Sequence, residues 1–254
     1  MKIIYDAPAI LHKGALVVGD THFGMENKLL RKGIYDSDFS NRLFQKLKNL
    51  IIGHKVKTLI LLGDVKEDIT MLDRTTENIL AKLSMLCKII IVKGNHDGGI
   101  EKQFRLSRTD SRSLHGGIEN CGNVEVKPAG GFVYEGLGLI HGHSWPAKEL
   151  MCCKYLIAGH QHPMISNQDA FGKKHIEPVW VVADVDEENI KKYYKKFNKK
   201  IKFILMPAFN PVIGTPINND GKTKFGPLIN NKLFKLNDAL LFRLSGICLG
   251  KFKI

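Results

Sequence analysis

Short apolar runs that stop abruptly at polar residues set the rhythm of the first two-thirds of this chain. They are Ala15–Val18, Thr58–Leu62, Ile89–Val92, Leu137–Ile140 and Tyr155–Ala158. Each is brief, rich in β-branched residues and leucine, and lacks polar alternation, so each predicts a strand buried on both faces. Five neighbouring strands of this kind would bring their polar ends to one edge of a sheet, where open α/β sheets place their ligand sites.

Between these runs the period changes. From Asp36 to Ile52, apolar residues recur at Phe39, Leu43, Leu47 and Leu50, which predicts a helix stopped by Gly53. Leu72–Leu86 predicts a second helix, Phe23–Ile34 a loop or short helix, and Trp145–Met151 a short helix with Pro146 in its first turn. Asp186–Lys200 also reads as a helix. Its Glu187 and Glu188 come first and lysines follow, the charge order that suits the helix dipole. Further strands are expected at Lys2–Tyr5, Ala9–Leu11, Val124–Lys127, Phe132–Tyr134, Val179–Ala183, Ile201–Met206, Ala239–Leu244 and Ile247–Phe252, with a turn or mobile loop at Asn218–Lys222.

The residues that end the five apolar runs carry the chemistry. In order they are Asp20-Thr21-His22, Gly63-Asp64, Gly94-Asn95-His96-Asp97, His141-Gly142-His143 and Gly159-His160-Gln161-His162. Imidazole and carboxylate brought together make a divalent-metal site. Alternate residues of an extended or turning segment point the same way, so Asp20 with His22, and His160 with His162, can each address one ion. Helix caps and turns would explain any one cluster; five in succession, each at a strand end, point to a shared site.

This ordered set, D-x-H, G-D, G-N-H-D, H-G and G-H-x-H, resembles the calcineurin-like metallophosphoesterases over Asp20–His162. Gly24, Glu26, Gly33, Pro163 and the segment Pro207-Ala208-Phe209-Asn210-Pro211 are similar to the archaeal SbcD-related branch. The resemblance implies an α/β fold, a four-layer αββα sandwich of two mixed β-sheets flanked by helices, with a dimetal site at the carboxyl ends of the strands. It also implies hydrolysis of phosphate esters by a metal-activated hydroxide. One metal would take Asp20, His22 and His162, the other Asn95, His141 and His160, and Asp64 would bridge them. His96 would be the proton donor. His143 stands as the alternative to His141, and Glu67, Asp97, Arg105 and Arg108 as residues behind the ligands or against the substrate. Two manganese ions are expected, with iron, zinc, nickel or cobalt as alternatives.

Length and charge refine this picture. The 254 residues suit one domain over positions 1–254. The resemblance to SbcD-type nucleases is not expected to extend to their capping domain or partner-binding tail. No leader peptide or apolar membrane span is expected. The five cysteines include no C-x-x-C pair, which suits a reducing cytoplasm; Cys87 and Cys248 read as core residues. The net charge of +13 is what a polyanion-binding protein carries, although lysine greatly outnumbers arginine. Arg105, Arg108 and Arg112 form the most arginine-dense stretch, and Lys191, Lys192, Lys195, Lys196, Lys199 and Lys200 the densest lysine run. Nucleic acid is therefore the expected partner for a phosphodiesterase or nuclease. The alternatives are an enzyme for small nucleotides, or a nucleic-acid-binding subunit whose metal site is structural. His12, His54, His115 and His175 fall outside the motifs and read as surface or turn residues. The sequence leaves the oligomeric state open.

Overall fold

A computed structural model describes residues 1–101, 123–217 and 226–252. Its β-strands form two mixed sheets. The first runs in spatial order β1 (Lys2–Ile3), β2 (Ile10–His12), β3 (Ala15–Val18), β4 (Thr58–Leu61), β5 (Lys88–Val92) and β6 (Val124–Lys127). From β3 to β6 all pairings are parallel, whereas β1, β2 and β3 pair antiparallel. The second sheet holds β7 (Phe132–Tyr134), β8 (Leu137–Ile140), β9 (Tyr155–Ala158), β10 (Pro163–Gln168), β11 (Lys174–Asp184), β12 (Lys202–Leu205) and β13 (Thr215–Pro216), with β14 (Leu240–Arg243) and β15 (Cys248–Lys251) beside β11. Here β8, β9 and β12 are mutually parallel.

Strand periodicity sorts the apolar side chains into layers. Leu16, Val18, Leu59, Leu61, Ile89 and Ile91 face the helical side of the first sheet. Their neighbours Ala15, Val17, Ile60, Leu62, Ile90 and Val92 face Leu139, Ile157, Trp180, Ile204 and Met206 of the second sheet. The outer helices are α1 (Glu26–Arg31), α2 (Phe39–Gly53) and α3 (Arg74–Ser84). Helix α2 buries Phe39, Leu43, Phe44, Leu47 and Ile51, each such side chain worth roughly 1.5–3 kcal/mol. Helix α3 starts where Asp73 accepts from the Thr76 amide. The second sheet turns Leu156, Val181, Phe203 and Leu205 outward against Leu150, Ile190, Tyr194 and Phe234. That fourth layer consists of α4 (Glu187–Ile190), α5 (Pro227–Asn230) and two 3-10 turns, Lys148–Cys152 and Leu236–Asp238. The expected αββα sandwich is present.

Four expectations need correction. The five motif-bearing strands do not share a sheet: β3, β4 and β5 lie in the first and β8 and β9 in the second. Both sheets turn their carboxyl ends to the same side, so the motifs meet across the sandwich. Asp186–Lys200 is not a continuous helix. Asp186 caps a single turn by accepting from the Glu188 and Asn189 amides, and the chain then bends to bury Tyr194 and Ile201. Lysine-rich helix propensity yields there to tertiary packing. The hairpin β10–β11 extends well before Val179, because its outer half is solvent-exposed and carries no apolar signal. Finally, Cys248 is exposed on edge strand β15, while Cys87 is buried as expected.

Candidate metal centre

The loops after β3, β4, β5, β8 and β9 converge. Five expected ligands have left-handed backbones despite not being glycine: Asp20 (φ 57°), His22 (44°), Asp64 (48°), His160 (68°) and His162 (44°). Each such conformation costs about 1–3 kcal/mol and persists only where its surroundings enforce it. Here they do. The Asp20, His22 and Phe23 amides donate to the carbonyls of Gly63, Asp64 and Val65 at 3.1, 2.9 and 2.8 Å. On the other side, the Phe209 and Asn210 amides donate to the carbonyls of Gly19 and Asp20, and Asn210 Nδ2 donates to Thr21 O at 3.1 Å. The first motif is thus pinned between two neighbouring segments. Glycine is required at two of these turns. A Cβ on Gly63 would stand 2.3 Å from His141 Nδ1, and one on Gly94 2.2 Å from Asp64 Oδ1.

Ligand atoms of Asp20, His22, Asp64 and His162 lie within 4.8 Å of one another, and so do those of Asp64, His141 and His160. Asp64 belongs to both groups, and a third group brings together His22, Glu67 and His96. Asn95 joins the second, its Oδ1 3.2 Å from His141 Nε2. His141 Nδ1 donates to Leu62 O at 2.9 Å, which leaves Nε2 turned toward Asp64. His143 does not enter either group; its ring centroid is 5.3 Å from that of His141. Of the two, His141 lies in a ligand group. Arg105, Arg108, Arg112 and Asn218–Lys222 lie outside the described residues.

Electrostatics agree with a cation-binding role. Burial alone would raise the pKa of Asp20, but the imidazoles of His162 and His141 outweigh it and hold the carboxyl below its usual range. Asp64 is likewise held low against its burial, chiefly by His141. For His141, burial opposes protonation, yet Asp64 and Asp20 raise its pKa to about 9. Burial lowers His160 to about 4, so this ring stays neutral and ready to ligate. A fit test comes from His22 Nε2 and His162 Nε2. Both are buried and have no hydrogen-bond partner, although Asp64 and Asp20 oxygens stand 3.6 and 3.1 Å away. A divalent ion satisfies such atoms together with the carboxylates, so the residues fit a metal.

Behind the ligands, Glu67 joins two histidines. Its Oε2 accepts from His22 Nδ1 at 2.7 Å, its carbonyl accepts from His96 Nδ1 at 2.8 Å, and Lys28 Nζ reaches Oε1 at 2.5 Å. A carboxylate on the far nitrogen fixes the tautomer and aim of a metal-binding histidine. Asp97 is fully buried, and burial raises its pKa. It accepts from the amides of Val65 and Gly94, tying the second and third motifs together.

Sequence reasoning missed two contributors. Lys66 is fully buried, and its Nζ donates to the carbonyls of Asp68 and Ile69, anchoring the turn that presents Glu67. The available signal was its position directly after Gly63-Asp64-Val65, but lysine is ordinarily a surface residue. Asn210 lies in the proline-flanked segment Pro207–Pro211, and its side chain braces the first motif.

Comparison with known proteins bears on this site. The sequence profile of the family described as calcineurin-like phosphoesterase matches residues 15–203. No curated protein matches the sequence. Among solved structures, the nuclease MPE of Pseudomonas putida aligns with 92% of this chain and 86% of its own, at 18% identity and a TM-score of 0.51, a likeness of fold. The phosphoesterase Yfce from E. coli aligns over 94% of this chain and 98% of its own, at 14% identity and a TM-score of 0.40. The profile spans well over half of the sequence and all five motifs: the chain belongs to the calcineurin-like phosphoesterase family, whose members are metal-dependent phosphoester hydrolases.

Proposed function

We propose that this protein is a dimetal phosphodiesterase acting on nucleic acid. The observation that carries the reading is the pair of ligand groups sharing Asp64. In this assignment Asp20, His22 and His162 would hold one ion, Asn95, His141 and His160 the other, and Asp64 would serve both. Manganese is the favoured ion, since the carboxylate and carbonyl oxygens suit it, and the imidazoles make iron, zinc or nickel the alternatives. Bound divalent ions supply Lewis acidity and lower the pKa of an attacking water.

The chain's own residues do the rest. Glu67 fixes the imidazole of His22, and its carbonyl holds His96 Nδ1–H, which turns Nε2 to the site; as an imidazolium, His96 would give its Nε2 proton to the leaving oxygen. The neutral Asn95 limits negative charge where a phosphate must approach. A net charge of +13 favours a polyanionic diester, and a nuclease stands among the proteins of similar fold. We read the chain as one domain of the SbcD-related branch working in a reducing cytoplasm. Cys87, Cys152, Cys153 and Cys248 are free thiols, and among the described residues no helix is long and apolar enough to cross a membrane.

Hydrolysis of a chromogenic phosphodiester with Mn²⁺, abolished by a chelator, tests the reaction class. Cleavage of oligonucleotides supports the substrate. Hydrolysis confined to mononucleotides would replace it with a small-nucleotide enzyme, and metal binding without any hydrolysis would leave a binding subunit.

A further inference from the structure

The outer face of the second sheet carries an aromatic pair that the metal centre does not use. Trp145 and Tyr193 are each 45% exposed, and their ring centroids lie 4.9 Å apart with the planes tilted by 39°. The other tryptophan, Trp180, is 1% exposed in the core. Trp145 follows His143 by two residues, so their Cα atoms are within about 7 Å. The pair therefore sits beside the loop that brings His141 to the site.

The pair is held in place from several directions. The Tyr194 hydroxyl donates to Pro146 O at 2.9 Å, and the Tyr193 hydroxyl donates to Asn231 Oδ1 at 2.9 Å. On the other flank, the Ala147 amide donates to Gly130 O at 2.8 Å and Ser144 Oγ donates to Ala129 O at 2.6 Å. Two flat rings fixed this way offer a stacking surface whose ordering cost is already met by the fold.

Its surroundings are cationic. An open groove of 430 Å³ beside Tyr193 is lined by Lys148, Lys195 and Lys196, with Glu149 the acidic group among them. A second groove of 610 Å³ shares Lys195 and Lys196 and adds Lys191 and Lys199. Lys191 and Lys199 both lie near Glu187, at 3.8 and 3.9 Å. Lys148, Lys195 and Lys196 have no ion pair among the described residues.

We propose that this face binds single-stranded nucleic acid. An unpaired base stacks on Trp145 and Tyr193, the backbone lies along Lys148, Lys195 and Lys196, and the strand continues past His143 toward the metal centre. Aromatic rings amid lysines are how sequence-tolerant single-strand binders work, because every base has a flat face. A duplex is excluded, since its paired bases cannot reach an exposed ring pair. Only the last clause, delivery to the metal centre, rests on the phosphodiesterase reading.

The test is a titration of the full chain with a single-stranded thymidine octamer, in chelator to prevent turnover, followed by tryptophan fluorescence and by anisotropy of a labelled octamer. Quenching is expected, because Trp145 is the exposed tryptophan. Trp145→Phe should remove the quenching but keep affinity within a few-fold, since phenylalanine still stacks. Trp145→Ala and Tyr193→Ala should each weaken the octamer roughly tenfold or more. Neither should change binding of an abasic oligonucleotide of equal length, or hydrolysis of a chromogenic diester. Equal affinity for octamer and abasic strand, tighter binding of duplex, or an unaltered Trp145→Ala would overturn the proposal. Diester hydrolysis without octamer binding would remove the platform and leave the phosphodiesterase. Stacking-dependent binding without hydrolysis under any metal would do the reverse.

Discussion

Replacing Lys66 by methionine isolates the buried ammonium that organises the catalytic turn. Methionine keeps most of the apolar stem and removes the charge. The carbonyls of Asp68 and Ile69 then lose their donor. Hydrogen bonds to charged groups are worth about 1.5–3 kcal/mol each, which sets an upper figure of about 3–6 kcal/mol. Asp68 and Ile69 are themselves exposed, so water recovers part of this and a net loss of about 2–4 kcal/mol is expected. Burial lowers the pKa of Lys66 despite the carboxylates of Asp97 and Asp64, so methionine also removes a desolvation cost and the loss should fall at the lower end. Urea unfolding of the metal-free protein is the assay; with a slope of about 3 kcal/mol/M the midpoint should drop by about 0.7 M. Function should suffer as well, because the same turn places Glu67 against His22 and His96. Loosening such support costs about 10–100-fold in metal affinity or activity. A Lys66→Met protein with wild-type midpoint and turnover would refute both parts of this reasoning.

Other perturbations separate the roles at the site. His96→Ala should retain two metals but lose about 10²–10⁴-fold in rate, and less with a nitrophenolate leaving group, which needs little protonation; loss of metal, or an equal rate loss for all leaving groups, would count against a proton donor. Asp64→Asn should abolish activity and weaken both ions, so full occupancy by metal analysis together with normal turnover would exclude the bridge. The raised pKa of His141, about 9, places a proton on the metal-free ring at neutral pH. Metal binding at pH 7.5 should therefore release close to one proton, measurable by calorimetry in buffers of different ionisation enthalpy. The same shift has a stability counterpart. The folded value lies above the ordinary 6.5, so this proton stabilises the metal-free fold fully below pH 6.5, and the gain disappears as pH rises through about 9. A metal-free protein whose stability is flat over that window would contradict it.

The parts of this molecule legible in the sequence are those where one signal dominates. Ile89–Val92 could be little other than a buried strand, and β5 is buried from Ile89 to Val92. The five motifs announced their meeting place because each ends such a strand. What stayed hidden depended on partners distant in sequence. Nothing local tells that β3 and β8 belong to different sheets, since a strand buried on both faces looks alike in either. The lysines from Lys191 onward read as a helix because their propensity is good; the burial of Tyr194 and Ile201 that breaks it is a tertiary event. The role of Lys66 is not legible in the sequence because its acceptors are carbonyls, which leave no trace in side-chain identity. Asn210 acts on Thr21, 189 positions away.

The central claim is that two metal ions share Asp64. Crystals grown with Mn²⁺ and measured at the manganese absorption edge test it most directly. The account predicts two anomalous peaks roughly 3.5–4 Å apart, with Asp64 between them, Asp20, His22 and His162 around one, and Asn95, His141 and His160 around the other. A single peak, or two peaks with Asp64 bound to neither or to only one, would contradict it.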